Sequence, residues 1–104
     1  MTELKGIDNK ATRRALNIIN VLKGHSINGL SNGEIAERLN DSPVNITRAL
    51  AILVDEGFAQ KLPTGRFTLS VRVLQVAEAY RQEWEKMQLR MTEIDQRVRA
   101  GTLA

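Results

Sequence analysis

Only three residues, Asn40, Asp41 and Ser42, separate the end of one helical pattern at Leu39 from the start of the next at Pro43. Ser42 suits an N-cap, where a hydroxyl accepts an exposed helix amide, and Pro43 suits the first helical position, where its missing N–H costs nothing. The preceding segment, "SNGEIAERLN", opens with Ser31 three residues before Glu34, a capping box that satisfies two amides reciprocally. Ile35, Ala36 and Leu39 form its apolar face, and Asn40 ends it. The following segment, "PVNITRALAILVDEG", repeats Ile46, Ala49, Leu50 and Leu53 at helical spacing and stops at Gly57. Two helices joined so tightly, with a third before them, match a tri-helical helix-turn-helix.

That third helix is expected from about Lys10, where "KATRRALNIINVLKG" places Ala15, Leu16, Ile18, Ile19 and Leu22 at helical spacing and Gly24 at the C-terminal cap. Residues 1–9 read as a flexible arm, and "HSINGL" as a loop. After Gly57 the period changes. "FAQKL" and "RFTLS" alternate, with Phe58, Leu62, Phe67 and Leu69 apolar, around the turn "PTG". Two short strands about a Pro/Gly turn form a β-hairpin, and a hairpin directly after a recognition-type helix is a wing.

From Val71 to Ala100 no glycine or proline interrupts a single long helix, and Gly101 is expected to end it before a short tail at 101–104. Along it Ala77, Tyr80, Trp84, Met87, Met91, Ile94 and Val98 alternate by three and four, the repeat of a coiled-coil seam. With Ala77 at position a, Arg90 and Asp95 fall at g and e, a weak hint of parallel pairing; the competing expectation is that this helix folds back on its own domain. The fold class is therefore mainly α with a small β-hairpin. A winged helix-turn-helix at 10–70 precedes a long C-terminal helix at 71–100 that serves dimerisation.

Periodicity separates the faces of the helix that begins at Pro43. Ile46, Leu50 and Leu53 share the buried stripe, which leaves Asn45, Thr47 and Arg48 on the other side. The N-terminal part of such a helix meets base edges in the major groove. An arginine can bind guanine bidentately, an asparagine can bind adenine, and a threonine serves base or phosphate. Ser42, at the cap, lies where free amides favour a phosphate. Lys61, Thr64 and Arg66 surround the wing turn, and Arg13 and Arg14 lie near the start of the first helix. All nine are candidate DNA contacts. The bland reading of each is a solvated surface side chain. The charge leans toward DNA: net +3 and a pI near 9.7, with 10 Lys/Arg against 7 Asp/Glu in residues 1–75 and 5 against 5 thereafter.

In order, "RALNIINVL", "LSNGEIAERLN", "ITRALAILVDEGF" and "LPTGRFTLS" resemble the N-terminal DNA-binding domain of IclR-type transcription regulators, over about Ala11 to Val76. Arg48, Leu50, Leu53 and the Glu56-Gly57-Phe58 ending match the third helix of that family, and the Gly65-Arg66-Phe67 tip matches its wing. The resemblance implies a winged helix-turn-helix, double-stranded DNA binding and a homodimer. Val44 and Asn45 stand where the family often has a Ser-Thr pair, so its base preference does not carry over. No effector-binding domain follows the long helix, so no small-molecule effector is expected.

Other classes find less support. A length of 104 residues suits one small core, and 42% hydrophobic with 26% charged residues is ordinary for a globular protein. There is no cysteine, and His25 is the one histidine, in a loop; no phosphate-cradling glycine loop and no metal-spaced cluster appears. Asp55-Glu56, at a helix end, reads as solvated surface. An enzyme, a cofactor or a metal site is not expected. "MTELKGIDNK" lacks the apolar core of a signal peptide, and no 18-residue apolar run occurs, so a cytoplasmic, nucleoid-associated protein of a bacterial or phage genome is expected, without membrane contact. The leading expectation is a sequence-specific homodimeric repressor acting by occlusion. An architectural DNA-binding protein of low specificity, or a winged-helix protein-interaction module, are the alternatives.

Overall fold

The computed structural model describes residues 6–103, with side chains through 101; residues 1–5 of the expected arm and the last residue of the tail lie outside the described residues. The elements are α1 (Lys10–Leu22), α2 (Asn32–Leu39), α3 (Pro43–Asp55), β1 (Ala59–Lys61), β2 (Phe67–Leu69) and α4 (Val71–Leu103). The described residues fall into two compact units that divide after Val71.

In the first unit, local chemistry builds each helix start. Asn9 caps α1 through its side chain, which accepts from Thr12 N at 2.9 Å. The Ser31–Glu34 capping box of α2 is complete in both directions. Ser42 caps α3 by accepting from Asn45 N at 3.3 Å, with Pro43 as the first helical residue. Asn40 ends α2 in the left-handed conformation at φ 51°, a geometry that asparagine tolerates better than most residues. The link of three residues thus stops one helix, with Asn40 N and Asp41 N donating to Glu37 O and Ala36 O, and starts another at the Ser42 cap.

The core joins all three helices to the hairpin: Ile18 and Leu22 of α1, Leu30 just before α2, Ile35 and Ala36 of α2, Ile46, Ala49, Leu50 and Leu53 of α3, and Ala59 of β1. One expected core residue is corrected. Leu16 is exposed, and Val21 packs against the core from α1 instead. The buried stripe runs through Ile18 and Leu22, and Leu16 lies two residues from Ile18, too far around the helix to share it.

The hairpin pairs β1 with β2 antiparallel, in the register Ala59 with Leu69, Gln60 with Thr68 and Lys61 with Phe67. Two further corrections arise here. "HSINGL" is not wholly loop, because Leu30 bridges the other edge of β2: Leu30 N donates to Phe67 O at 2.9 Å and Phe67 N to Leu30 O at 2.8 Å. A strand of one residue has no alternation to read. The apolar face expected from Phe58, Leu62, Phe67 and Leu69 is only half-buried, whereas Ala59 and Thr68 are fully buried. They lie on opposite faces of the ladder, so neither face is purely solvent-facing. The Thr68 hydroxyl is satisfied by Gln60 Nε2 at 3.1 Å.

In the second unit α4 runs 33 residues. It continues through Gly101, which does not end it. A glycine stops a helix by adopting a positive φ, and Gly101 is not among the residues that do so. On its surface Arg81 pairs with Glu78 at 2.6 Å and also with Glu85, and Arg99 pairs with Asp95 at 3.1 Å. Ala77, Tyr80, Trp84, Met87, Met91, Ile94 and Val98 are all exposed, as are Leu74 and Leu89. No helix among the described residues is long and apolar enough to cross a membrane.

Candidate nucleic-acid interface

The outward face of α3 is Val44, Thr47, Arg48 and Ala51, spaced by three and four and all exposed. Periodicity groups Asn45 with Arg48, but Asn45 is half-buried and turned toward α1. With Arg48, Ala49 and Ile52 it lines a groove against Ala11, Thr12, Arg14 and Ala15 of α1. Among the described residues no ion pair engages Arg48, so its guanidinium keeps its donors. Thr47 is held on both sides: its hydroxyl donates to Pro43 O at 2.8 Å and accepts from Asn32 Nδ2 at 3.0 Å. Thr47 can therefore present its methyl, and share its oxygen, from a fixed rotamer.

Asn32 was not singled out from the sequence. Its place as the first residue of α2, directly after the Ser31 cap, is the signal that points to it, because that helix end lies beside α3.

The N-terminal end of α3 is pinned by Asp41. Its carboxylate accepts from Arg14 Nε at 2.5 Å and from Ser42 N at 2.7 Å. The Arg14 guanidinium first, then the Ser42 amide, hold this carboxyl below its ordinary value of 3.8. Arg14 is thereby committed to a partly buried pair, with its side chain only 17% exposed. Arg13 instead pairs with Asp8 at 2.6 Å in the open, a contact that solvent screens and an anion can displace.

At the wing, Gly65 takes φ +86°, and Leu62 N donates to Arg66 O at 2.7 Å to close the turn. Thr64 Oγ1 accepts from Arg66 N at 3.4 Å. Lys61 is exposed, with Nζ 5.9 Å from the centre of the Phe67 ring, at the outer limit of a cation–π contact. Arg66 points inward. Its Nη1 donates to Glu34 Oε1 at 2.5 Å and Nη2 to Glu34 Oε2 at 3.2 Å, while Nε reaches Asn28 O and Nη2 reaches Gly29 O, both at 3.0 Å. The Glu34 carboxyl is held below its ordinary value of 4.5, by Arg66 first and then by Ser31.

The sequence candidates thus divide by accessibility. Thr47, Arg48, Lys61, Thr64 and the exposed rim at Ser42 and Arg13 present polar groups to solvent; Asn45, Arg14 and Arg66 are turned inward or bonded within the chain. Among the described residues no group of three or more His, Asp or Glu side chains is placed to hold a metal ion.

No family model and no curated protein matches the chain. Among solved structures, an IclR family transcriptional regulator from Brucella abortus superposes with a TM-score of 0.63 at 21% identity, over 77% of this chain and 32% of that one. The chain therefore spans about a third of that regulator's length. A Lactococcus lactis ZitR variant aligns over 90% of this chain and 64% of its own, at 19% identity and a TM-score of 0.46, too low to carry an argument. The likeness to the IclR family regulator is one of fold: the chain is built as a winged helix-turn-helix of that type, followed by a long helix.

Proposed function

We propose that the chain is a transcription regulator that binds double-stranded DNA, with α3 in the major groove and the wing along the adjacent backbone. The observation that carries this reading is the exposed leading end of α3. It offers Arg48, free of any ion pair among the described residues, beside Val44 and Thr47 on a helix whose N-terminus is held by Ser42 and Asp41. Arg48 suits a guanine, Thr47 a base edge or phosphate, and Val44 a thymine methyl. Lys61 and Thr64 suit flanking phosphates, and Arg13 a phosphate at the start of α1, where its exposed pair with Asp8 yields readily. Asn45 contacts a base only by leaving the α1 groove.

Two copies joined through α4 present two reading heads. The seam from Ala77 to Val98 is exposed along its length. Regulation by occlusion of a promoter, in the cytoplasm at the nucleoid, fits a unit of this kind.

Fluorescence anisotropy with labelled duplex tests the reading. Arg48→Ala should lower discrimination at one base position by about 1–3 kcal/mol, and Lys61→Ala should weaken all sequences alike and reduce the salt slope by about one. Binding that ignores both substitutions would favour a protein-docking role for this face.

A further inference from the structure

Arg66 sits at the wing tip, where a basic side chain is expected to reach phosphate, yet its four hydrogen bonds all point back into the domain. The planar fork spans the Glu34 carboxylate and the carbonyls of Asn28 and Gly29. Glu34 in turn closes the capping box at Ser31, and the next residue, Asn32, bonds Thr47 on α3. A continuous line of polar contacts therefore runs from the wing through the N-terminus of α2 to the recognition helix. It lies beside the Leu30–Phe67 bridge, which also fastens that edge of the wing.

Resting on the DNA-binding reading, we infer that Arg66 is a positioning residue: with Glu34 it braces the wing against α2 so that Lys61 and Thr64 meet the backbone at a fixed distance from α3. The physical ground is charge and geometry. A guanidinium bonded bidentately to a carboxylate presents almost no net charge to a phosphate, so it releases few counterions on binding. Its remaining donors are too few to hold a phosphate without first breaking the pair. Bracing aids affinity by removing the ordering that a loose wing would undergo on contact.

The experiment compares wild type with Arg66→Ala, Arg66→Lys and Glu34→Gln, at a temperature where circular dichroism shows each fully folded. Anisotropy with a duplex is read against salt, and amide hydrogen exchange is read at Leu30, Leu62 and Phe67. The brace predicts roughly tenfold weaker binding for Arg66→Ala and Glu34→Gln alike, with no fall of about one in the salt slope of Arg66→Ala. It also predicts faster exchange at the three amides, and no rescue by Arg66→Lys, because one ammonium cannot span the fork's acceptors. A salt slope that drops by about one in Arg66→Ala, with Glu34→Gln neutral or tighter and Arg66→Lys near wild type, would make Arg66 a phosphate contact and overturn the inference. Unchanged affinity in folded Arg66→Ala would overturn it as well, leaving a purely structural pair. If wild type binds no duplex, the functional reading fails by itself. The exchange data still decide whether the brace holds the wing, and unchanged exchange refutes it.

Discussion

Replacing Gly29 by alanine should destabilise the winged unit through both backbone strain and a steric clash. Gly29 takes φ +69°, a left-handed conformation that costs an L-residue roughly 1–2 kcal/mol. The added Cβ would also stand 2.5 Å from Phe67 O, 3.0 Å from Phe67 C and 3.1 Å from Thr68 Cγ2. Two of these atoms are β2 backbone and cannot rotate away, so the Leu30–Phe67 bridge must open. Its two hydrogen bonds are each worth about 0.5–1.5 kcal/mol. Conformation and bridge together give about 2–5 kcal/mol, a large share of the roughly 5–15 kcal/mol that holds a small domain folded. Gly24→Ala is the internal control, since Gly24 takes φ +86° but has nothing within 4 Å of an added Cβ. It should lose only the conformational part, about 1–2 kcal/mol. Urea unfolding followed by circular dichroism, extrapolated linearly, measures both. Equal losses in the two variants would refute the steric reasoning and show that the loop moves away from β2 at no cost.

Leu50, 1% exposed at the centre of the core, should cost about 2–5 kcal/mol when replaced by alanine, read as a lower urea midpoint at unchanged slope. Acid should weaken the domain in a defined direction. Glu34 and Asp41 are both depressed by their arginines, so their contributions are fully present above the ordinary values of 4.5 and 3.8 and are lost as pH falls through the lower folded values. Glu34→Gln should flatten part of that acid dependence, and a wild-type urea midpoint constant down to the acid limit would contradict it. Ile94→Asp, in the C-terminal part of the α4 seam, should convert a sedimenting dimer to monomer without altering the winged unit; a wild type that already sediments as monomer would remove the dimer proposal.

What the sequence made legible was local. The caps at Ser31, Glu34 and Ser42, the stop at Asn40 and the wing turn at Gly65 all depend on residues within a few positions of one another, and each forms as expected. What it hid was long-range. Arg14 meets Asp41 at 27 residues' separation and Arg66 meets Glu34 at 32, and nothing in either neighbourhood announces the partner. Both arginines look like spare cations until the fold brings the acids to them. Leu30 escaped because a one-residue strand carries no period, and the hairpin's inward face misled because three residue pairs, with Ala59 buried on one face and Thr68 on the other, dilute alternation. Gly101 misled in the opposite way: glycine permits a helix stop but does not impose one. The heptad of α4 is as legible as the caps, but the partner proposed for it would lie outside one chain's fold.

Selection of sites from a random duplex pool at near-physiological salt decides whether the protein reads DNA sequence. A dimeric, sequence-reading regulator enriches an inverted repeat with half-sites about one helical turn apart, whose base preference changes when Arg48 is substituted. Recovery of no motif, with residual binding that simply follows salt, would contradict a sequence-reading regulator.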